Sequence, residues 1–361
     1  MRRQRADMPE PSPERPVRVI IVDDTRTIRA MIRTLLSRSP AIQVVGEAGD
    51  PYEAREMIRA LDPDVITLDV VMPRMDGLSF LERLMRLRPM PVVMVSTRTT
   101  ERSAEAVTAL ELGAFDCVDI ASLTRGETPG DLADLVLAAA ASNTRGPTIR
   151  RERRREPRDE ATKLDWNGRA VVIGSSTGGV DALMTVLAHY PSDCPPTLIA
   201  QHMPAPFLES FAARLDRSIA PQVTLATDGG QLRPGMVQLA PGGDSHVALG
   251  ETPEFTTRLL PHDGFELYVP SINVLFSSAV YHRDNMVGVM LTGMGRDGAE
   301  PMLEMKKAGA HTIAQDANSC VVDGMPRAAR EIGAAVQVAS LNDIGPAILS
   351  NVVRKEQESA T

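Results

Sequence analysis

The sequence is poor in cysteine and in aromatic side chains, and each shortage excludes a class of protein. Only three of the 361 residues are cysteines, and only 3% are aromatic. Cys117, Cys194 and Cys320 lie too far apart to suggest a disulfide framework or a zinc site. Hydrophobic residues make up 43% of the chain, so sizeable cores must consist mainly of aliphatic side chains and methionine. Unpaired thiols of this kind favour a cytoplasmic protein.

The chain also lacks long apolar runs and an excess of positive charge. No hydrophobic stretch approaches the roughly 20 residues that a membrane-spanning helix needs. The basic start is followed by acidic residues, whereas a secretion signal would continue with an apolar segment. The formal net charge of −8 disfavours a generic nucleic-acid binder. We therefore expect a cytoplasmic protein with no membrane insertion and no nucleic-acid partner.

An arginine-rich segment with few apolar residues separates two globular blocks. It contains the run 150–155 and reads as a linker, because so few apolar side chains cannot form a core. We interpret its arginines as a solvated spacer; contact with an acidic partner surface is the alternative. The predicted parts are a disordered N-terminal tail (1–16), a first domain (17–141), the linker (142–165), a second domain (166–350) and a polar C-terminal tail (351–361).

Strands and helices alternate regularly through the first block. Five apolar β-type segments, each followed by a helical pattern, predict a doubly wound parallel sheet with a flavodoxin-like order of strands. Asp23 and Asp24 follow the first strand, and Asp69 follows the third. These two strand ends would be adjacent, so the three carboxylates would repel one another unless a hard cation such as Mg²⁺ lies between them. A carboxylate in such a site can accept a phosphoryl group.

This first block resembles a response-regulator receiver domain. The resemblance rests on Val22-Asp23-Asp24 and on the runs 68–77 and 91–96. It implies that Asp69 is the phosphoacceptor and that Mg²⁺ is held by carboxylates and a main-chain carbonyl. Ser96 ends the fourth strand, where its hydroxyl can hydrogen-bond the phosphoryl group. The metal ligands implied in this way are Asp23, Asp24, Asp69 and the carbonyl of Val71.

One position departs from the receiver pattern. The family places Lys-Pro after the fifth strand, and Ile120 stands here where that lysine is expected. The lysine normally pairs with the phosphoryl group, and isoleucine offers neither charge nor donor. We therefore predict that Asp69 is phosphorylated but that the gain in activity is weak.

We predict that the second block is a Rossmann-like α/β domain, again with a doubly wound parallel sheet. It contains a β-type segment that ends in a glycine-rich turn before a helical pattern. The spacing Gly174-x-Ser176-x-Gly178 is that of a nucleophile elbow, in which a sharp turn leaves no room for neighbouring Cβ atoms. Such a turn exposes the serine hydroxyl and directs backbone N–H groups of the helix start toward the same point. A phosphate-binding loop and a purely structural turn have similar sequences.

His202 and Asp297 each follow another predicted strand of the second block. Since ligands bind at the carboxyl ends of parallel strands, Ser176, His202 and Asp297 can converge into a catalytic triad. Their order along the chain differs from that of the α/β-hydrolases. Taken singly, His202 is most simply a structural histidine and Asp297 a turn residue or N-cap. The other candidates for the base are His189, His246, His262, His282 and His311.

As a whole, the chain resembles the family of chemotaxis protein-glutamate methylesterases and glutamine deamidases, CheB. The resemblance implies hydrolysis of glutamyl γ-methyl esters on chemoreceptors, deamidation of some receptor glutamines, and control by a histidine kinase. It also matches Ser176 to the nucleophile, His202 to the base and Asp297 to the residue that orients the base. Besides the receiver-like block, it rests on the motifs 174–179, 201–204, 239–242, 291–298 and 314–316.

The predicted reaction leaves two further groups to assign. Backbone N–H groups of Thr177 and Met294 are expected to stabilise the oxyanion. No cofactor is expected for the esterase step, and Mg²⁺ is expected only in the receiver domain.

Two other functions remain open at this point. A receiver with a non-catalytic output could hold a phosphate or a partner at the Ser176 loop, although Gly179 is not followed by the lysine of a Walker motif. The arginine-rich linker could instead bind nucleic acid, and an absence of DNA binding at low salt would exclude that reading.

Overall fold

The computed structural model describes residues 15–72, 76–96, 100–119, 132–142 and 164–354. They form two compact units, one on each side of the arginine-rich segment. Each unit contains a parallel β-sheet with flanking helices, which confirms the predicted α/β fold class. The arginine-rich segment, Ile120 and most of both tails lie outside these residues. The predictions made for these residues, and the predicted domain boundaries, stay predictions.

The first unit is a five-stranded parallel sheet with the order β2-β1-β3-β4-β5. Strands β1 and β3 are neighbours, and Val22 pairs with Leu68, so the ends that precede Asp23 and Asp69 lie side by side as predicted. The elements are β1 (Val17–Val22), α1 (Arg26–Leu36), β2 (Ile42–Ala48), α2 (Pro51–Leu61), β3 (Val65–Asp69), α3 (Gly77–Leu87), β4 (Val92–Ser96), α4 (Thr100–Glu111), β5 (Asp116–Asp119) and α5 (Leu132–Ala141).

Local chemistry fixes the start of α3 beside Asp69. Asp76 is the N-cap, and its carboxylate accepts a hydrogen bond from the backbone N–H of Ser79 at 2.7 Å. A Cβ atom on Gly77 would lie only 2.1 Å from the carbonyl oxygen of Asp69. Only glycine therefore lets α3 begin this close to the end of β3.

The second unit is a seven-stranded parallel sheet with the order β14-β13-β12-β6-β7-β9-β8. The elements are β6 (Ala170–Ser175), α6 (Gly179–Leu187), β7 (Thr197–Gln201), α7 (Ala205–Ser218), β8 (Gln222–Leu225), β9 (Met236–Leu239), β10 (Ser245–Leu249), β11 (Thr257–Pro261), α8 (Ile272–Ala279), a 3₁₀ helix (Val280–Asn285), β12 (Met286–Met290), α9 (Ala299–Lys307), β13 (His311–Gln315), α10 (Met325–Glu331), β14 (Gln337–Ala339) and α11 (Leu341–Val352).

Strands β10 and β11 form a separate antiparallel ribbon that a purely doubly wound sheet does not contain. The ribbon precedes α8, whose first residue, Ile272, packs tightly against the edge of the main sheet. A Cβ atom on Gly174 would lie 2.5 Å from Ile272 Cγ2, and one on Gly298 would lie 2.4 Å from it. These two glycines therefore allow α8 to begin at the sheet edge where the predicted site residues lie.

The core of the second unit is aliphatic, as the scarcity of aromatic residues predicts. Strand β6 is the central strand, and all six of its residues are buried. Helices cover both faces of the sheet, so its sequence is a continuous run of small and apolar residues. Among the described residues, no helix combines the length and apolar character needed to cross a bilayer.

Candidate active site

The three residues predicted as a triad follow three adjacent strands. Strand β6 pairs with β12 on one side, where Gly174 faces Met290. It pairs with β7 on the other side, where Ser175 faces Gln201. Ser176, His202 and Asp297 come just after β6, β7 and β12 respectively, so the structure places all three at one edge of the sheet.

Ser176 occupies the turn between β6 and α6. Gly178 has a φ of 78°, which a residue with a Cβ atom rarely adopts. The N–H of Ser176 donates to the Thr292 carbonyl at 3.0 Å, and its carbonyl accepts from the Gly179 N–H at 2.7 Å. Ser176 keeps an exposed fraction of 9%. The turn thus has the tight geometry that the glycine spacing predicts.

His202 is paired with Asp297 through one ring nitrogen. Its Nε2 lies 2.8 Å from Oδ2 of Asp297, and the two side chains are only 7% and 3% exposed. Its Nδ1 is buried and has no hydrogen-bond partner. The backbone N–H of His202 donates to the Ser175 carbonyl at 3.0 Å, which holds this residue beside the turn. Nδ1 is therefore the ring nitrogen that Asp297 leaves unpaired, whereas in chymotrypsin-like triads the aspartate binds Nδ1 and leaves Nε2.

Asp297 is held at the N-terminus of α8. Its carboxylate accepts hydrogen bonds from the N–H of Ile272 at 2.7 Å and of Asn273 at 2.9 Å. Burial works to raise the pKa of Asp297, but the hydrogen bond and charge of His202, together with these two N–H groups, outweigh burial and lower it. The positive end of the helix dipole acts in the same direction. Asp297 is therefore an ionised partner for His202.

Gln201 joins the nucleophile and the base through the main chain. Its Nε2 lies 2.9 Å from the Ser176 carbonyl and 3.1 Å from the His202 carbonyl. Its Oε1 accepts from the Ser175 hydroxyl at 2.6 Å. Gln201 is 2% exposed, so a buried amide with several partners holds the two strand ends in register.

Tyr268 covers one face of the His202 ring. The ring centroids are 4.1 Å apart, and the planes differ by only 4°. Sequence reasoning missed this residue, because nothing in the local pattern around it points to the site. It also missed Gln201, Ile272 and Asn273, although a glutamine at the end of an apolar strand is a signal that could have been used.

Thr292 joins the two loops that carry the predicted oxyanion donors. Its Oγ1 lies 3.1 Å from the Thr177 carbonyl and accepts from the Val322 N–H at 2.9 Å. The N–H of Met294 donates to no backbone carbonyl of the described residues. The roles of the Thr177 and Met294 N–H groups stay predictions.

Three of the competing histidines are engaged elsewhere. His246 accepts from the Ser271 N–H at 3.0 Å, and burial followed by the charge of His262 lowers its pKa. His282 lies 3.0 Å from the Gly250 carbonyl, and His311 lies 3.2 Å from Gln337. His202 is the histidine that pairs with Asp297 and whose backbone N–H donates to the residue before Ser176.

The first unit brings Asp23, Asp24 and Asp69 together. Each offers a carboxylate oxygen within 4.8 Å of the others. Burial, reinforced by the charge of Asp23, raises the pKa of Asp69 to about 7. Burial also raises the pKa of Asp23 to about 6. This mutual repulsion among hard oxygen donors is what a divalent cation would relieve, so the residues fit Mg²⁺.

The structure gives less about the remaining predicted groups of the first unit. The backbone of Val71 hydrogen-bonds the Asp69 carboxylate, and Val71 is 38% exposed. Whether its carbonyl is a metal ligand stays a prediction. Ser96 is the last residue of β4, as predicted, and its hydroxyl lies outside the described part of the structure.

A unit with a carboxylate cluster and a unit with serine, histidine and aspartate at one sheet edge define a class of protein. That class is the response regulator with a hydrolase as its output. Family models described as response regulator receiver domain and CheB methylesterase match residues 19–119 and 171–348. The chain belongs to the CheB methylesterase family.

Curated relatives extend over nearly the whole chain. A protein-glutamate methylesterase/protein-glutamine glutaminase of Caulobacter vibrioides is 49% identical and covers 92% of this chain and 97% of its own. Its counterpart from Agrobacterium fabrum is 49% identical and covers 94% and 98%. One from Gluconobacter oxydans is 45% identical and covers 96% and 98%. These matches confirm the resemblance stated from the sequence and the predicted enzyme class.

Proposed function

We propose that this chain hydrolyses glutamate γ-methyl esters on methyl-accepting chemoreceptors and deamidates receptor glutamines, under control of a histidine kinase. The proposal rests on the names of its relatives, and the observation that carries it is the buried His202–Asp297 pair beside Ser176. The family also favours this activity over a non-catalytic output unit. The role of each residue below is part of the same proposal.

The first half of the reaction is attack by serine. Nδ1 of His202 takes the proton of Ser176 as its Oγ bonds to the ester carbonyl carbon. Asp297 accepts the Nε2 hydrogen bond, which fixes the tautomer and stabilises the imidazolium. The N–H groups of Thr177 and Met294 would bind the oxyanion, and each such donor contributes roughly 3 kcal/mol.

The second half regenerates the enzyme. The C–O bond of the ester breaks, the imidazolium gives its proton to the departing methoxide, and methanol leaves. His202 then takes a proton from water as the water oxygen attacks the acyl-enzyme carbonyl. The bond to Ser176 Oγ breaks, the imidazolium returns the proton to Oγ, and the glutamic acid released ionises to glutamate. For a glutamine substrate, ammonia leaves in place of methanol. No other reactant is required.

Regulation is assigned to the first unit. Asp69 would accept a phosphoryl group from the kinase, and Ser96 would hydrogen-bond it. Mg²⁺ held by Asp23, Asp24, Asp69 and the Val71 carbonyl would neutralise part of the charge. With isoleucine at position 120, we expect only a weak rise in esterase rate, and Ile120→Lys should strengthen it.

Methanol release from a methylated chemoreceptor tests the proposal. The purified full chain should release methanol, a small-molecule phosphodonor should raise the rate modestly, and Ser176→Ala should release none. The proposal is wrong if the folded chain releases no methanol with or without the phosphodonor.

A further inference from the structure

We propose that Tyr268 is a positioning residue for His202. It holds the imidazole in the plane that joins Asp297 to Ser176, and it stabilises the imidazolium formed when the serine proton is taken. This inference rests on the proposed function, because it assigns a role through His202. Four observations support it.

The geometry of the contact is the first observation. The two rings are parallel within 4°, with centroids 4.1 Å apart. A parallel pair of rings with centroids this close is in van der Waals contact, so the Tyr268 ring packs directly on the face of the imidazole. A cation over the face of tyrosine is attracted to it within about 6 Å of the ring centroid. The Tyr268 ring is therefore placed to stabilise the imidazolium that forms when the serine proton is taken.

The second observation is the way His202 is confined. Its Nε2 is tied to Asp297, while Nδ1 has no partner. One hydrogen bond leaves the ring free to tilt about that contact. The Tyr268 ring covers one face of the imidazole and restricts this tilt, which holds the unpartnered Nδ1 in a fixed direction.

The third observation is how the chain segment that carries Tyr268 is held in place. Glu266, two residues earlier, accepts from the hydroxyl of Ser271 at 2.9 Å. Ser271 also donates its N–H to His246 at 3.0 Å. The same segment continues into α8, whose first N–H groups bind Asp297. A single stretch of chain therefore supports both members of the His202–Asp297 pair.

The fourth observation is the alternation of side chains along this segment. Phe265 and Leu267 are 91% and 69% exposed, whereas Glu266 and Tyr268 are partly buried. A Cβ atom on Gly295 would lie 3.2 Å from the Tyr268 hydroxyl, so the ring reaches the loop that carries Asp297. Tyr268 thus faces the site, whereas Phe265 and Leu267 face solvent.

The test compares Tyr268→Leu with Tyr268→Phe in the full chain, on a p-nitrophenyl ester and on a methylated chemoreceptor. We expect the leucine variant to lose roughly tenfold in kcat on both substrates, as a cation–aromatic contact of middling strength allows. Its KM should stay within about twofold of the unchanged value. The phenylalanine variant should retain most of kcat, since it keeps the ring.

Tyr281→Leu is the matched control. Tyr281 is 54% exposed and stands next to His282, in the 3₁₀ helix that precedes β12 at the opposite edge of the sheet. The Tyr281→Leu variant should leave kcat unchanged. Trp166, the single tryptophan of the chain, reports by its fluorescence whether each variant is folded. If the leucine variant is unfolded, Tyr268→Met takes its place.

Three results would overturn the inference. They are an unchanged kcat in the leucine variant, a change confined to KM, and a phenylalanine variant as impaired as the leucine variant. Failure of the proposed function looks different, because the unchanged chain would then hydrolyse neither substrate and a serine-directed phosphonate would not label Ser176.

Discussion

Asp69 of the first unit and Asp297 of the second lie at similar places, each where a parallel strand ends, yet their surroundings act in opposite ways. Burial and the neighbouring carboxylates raise the pKa of Asp69 to about 7. Asp297 is more deeply buried, but His202 and two N–H groups of α8 hold its pKa below the ordinary value. The carboxylate of the second site is therefore balanced by groups of the chain, whereas the crowded carboxylates of the first site would be relieved by a divalent cation.

Removal of the nucleophile is the strongest test of the claim that the second site is complete within the chain. Ser176→Ala should lower ester hydrolysis on the order of 10⁶-fold if the three residues act as a unit. Ser175→Ala is the matched comparison, since the Ser175 hydroxyl is fully buried and already donates to Gln201, so it is not available as a nucleophile. It should keep most of the activity. Initial rates on a p-nitrophenyl ester measure both, and the reverse ranking would identify Ser175 as the nucleophile.

Asp297→Asn removes the carboxylate whose lowered pKa distinguishes the second site from the first. The expected loss in kcat is roughly 10⁴-fold, because the amide would favour the wrong imidazole tautomer. Glu300→Gln, at an exposed carboxylate three residues later, should be silent. Full activity in Asp297→Asn would return Asp297 to the role of a turn residue.

The Asp297→Asn variant also tests how the free energy of unfolding depends on pH. The folded pKa of Asp297 is below its ordinary value of 3.8, so its ionised form stabilises the fold above that pH, and this contribution disappears as pH falls through the folded pKa. Asp297→Asn should therefore be less stable than the unchanged chain at pH 7, with the difference shrinking below pH 4. Urea unfolding followed by Trp166 fluorescence measures this, and a difference independent of pH would contradict it.

Gln201→Glu tests whether the second site depends on a buried amide. The glutamate has the same size but no N–H, so the Ser176 and His202 carbonyls would face an acceptor. We expect kcat to fall about tenfold or more, with KM nearly unchanged. His311→Ala, which removes a partner of the surface residue Gln337, is the control. Normal kcat in a folded Gln201→Glu chain would show that the amide only stabilises the fold.

Of these substitutions, Asp69→Asn should have the smallest effect. The informative result is whether it raises or lowers the midpoint temperature of thermal unfolding. Without Mg²⁺, removal of one of three crowded carboxylates should stabilise the first unit, with a midpoint rise of roughly 4 °C for each kcal/mol relieved. Added Mg²⁺ should raise the midpoint of the unchanged chain more than that of the variant. Calorimetry in EDTA and in Mg²⁺ measures this, and a lower midpoint for the variant in EDTA would show that Asp69 is already compensated by the chain.

The predictable part of the fold is the part with long buried strands. Strands β1, β3, β6 and β12 are mostly apolar runs with polar residues at or soon after their ends, so their positions are evident in the sequence. The antiparallel ribbon β10–β11 and the three-residue strand β14 were not predicted. Such short, partly exposed strands depend on their pairing partners more than on their own pattern.

The residues of the site also divide into those that the sequence predicts and those that it does not. Ser176 and His202 directly follow strands, and Asp297 lies in the loop after a third, so the order of strands brings them to one edge of the sheet. Tyr268 lies between the ribbon and α8, and Asn273 lies in the first turn of α8; both contact site residues that are 24 or more positions away. No local periodicity encodes such contacts, which is why these supporting residues required the structure.

The most direct test of the contrast between the two sites is methanol release from a methylated chemoreceptor by the full chain in excess EDTA. In the proposed mechanism Ser176, His202 and Asp297 carry out the proton transfers of ester hydrolysis, whereas the carboxylate cluster is proposed to hold Mg²⁺ only for regulation. We predict that the unchanged chain releases methanol in EDTA and that only its response to a phosphodonor requires Mg²⁺. Methanol release that stops in EDTA and returns with Mg²⁺ in the absence of a phosphodonor would contradict it.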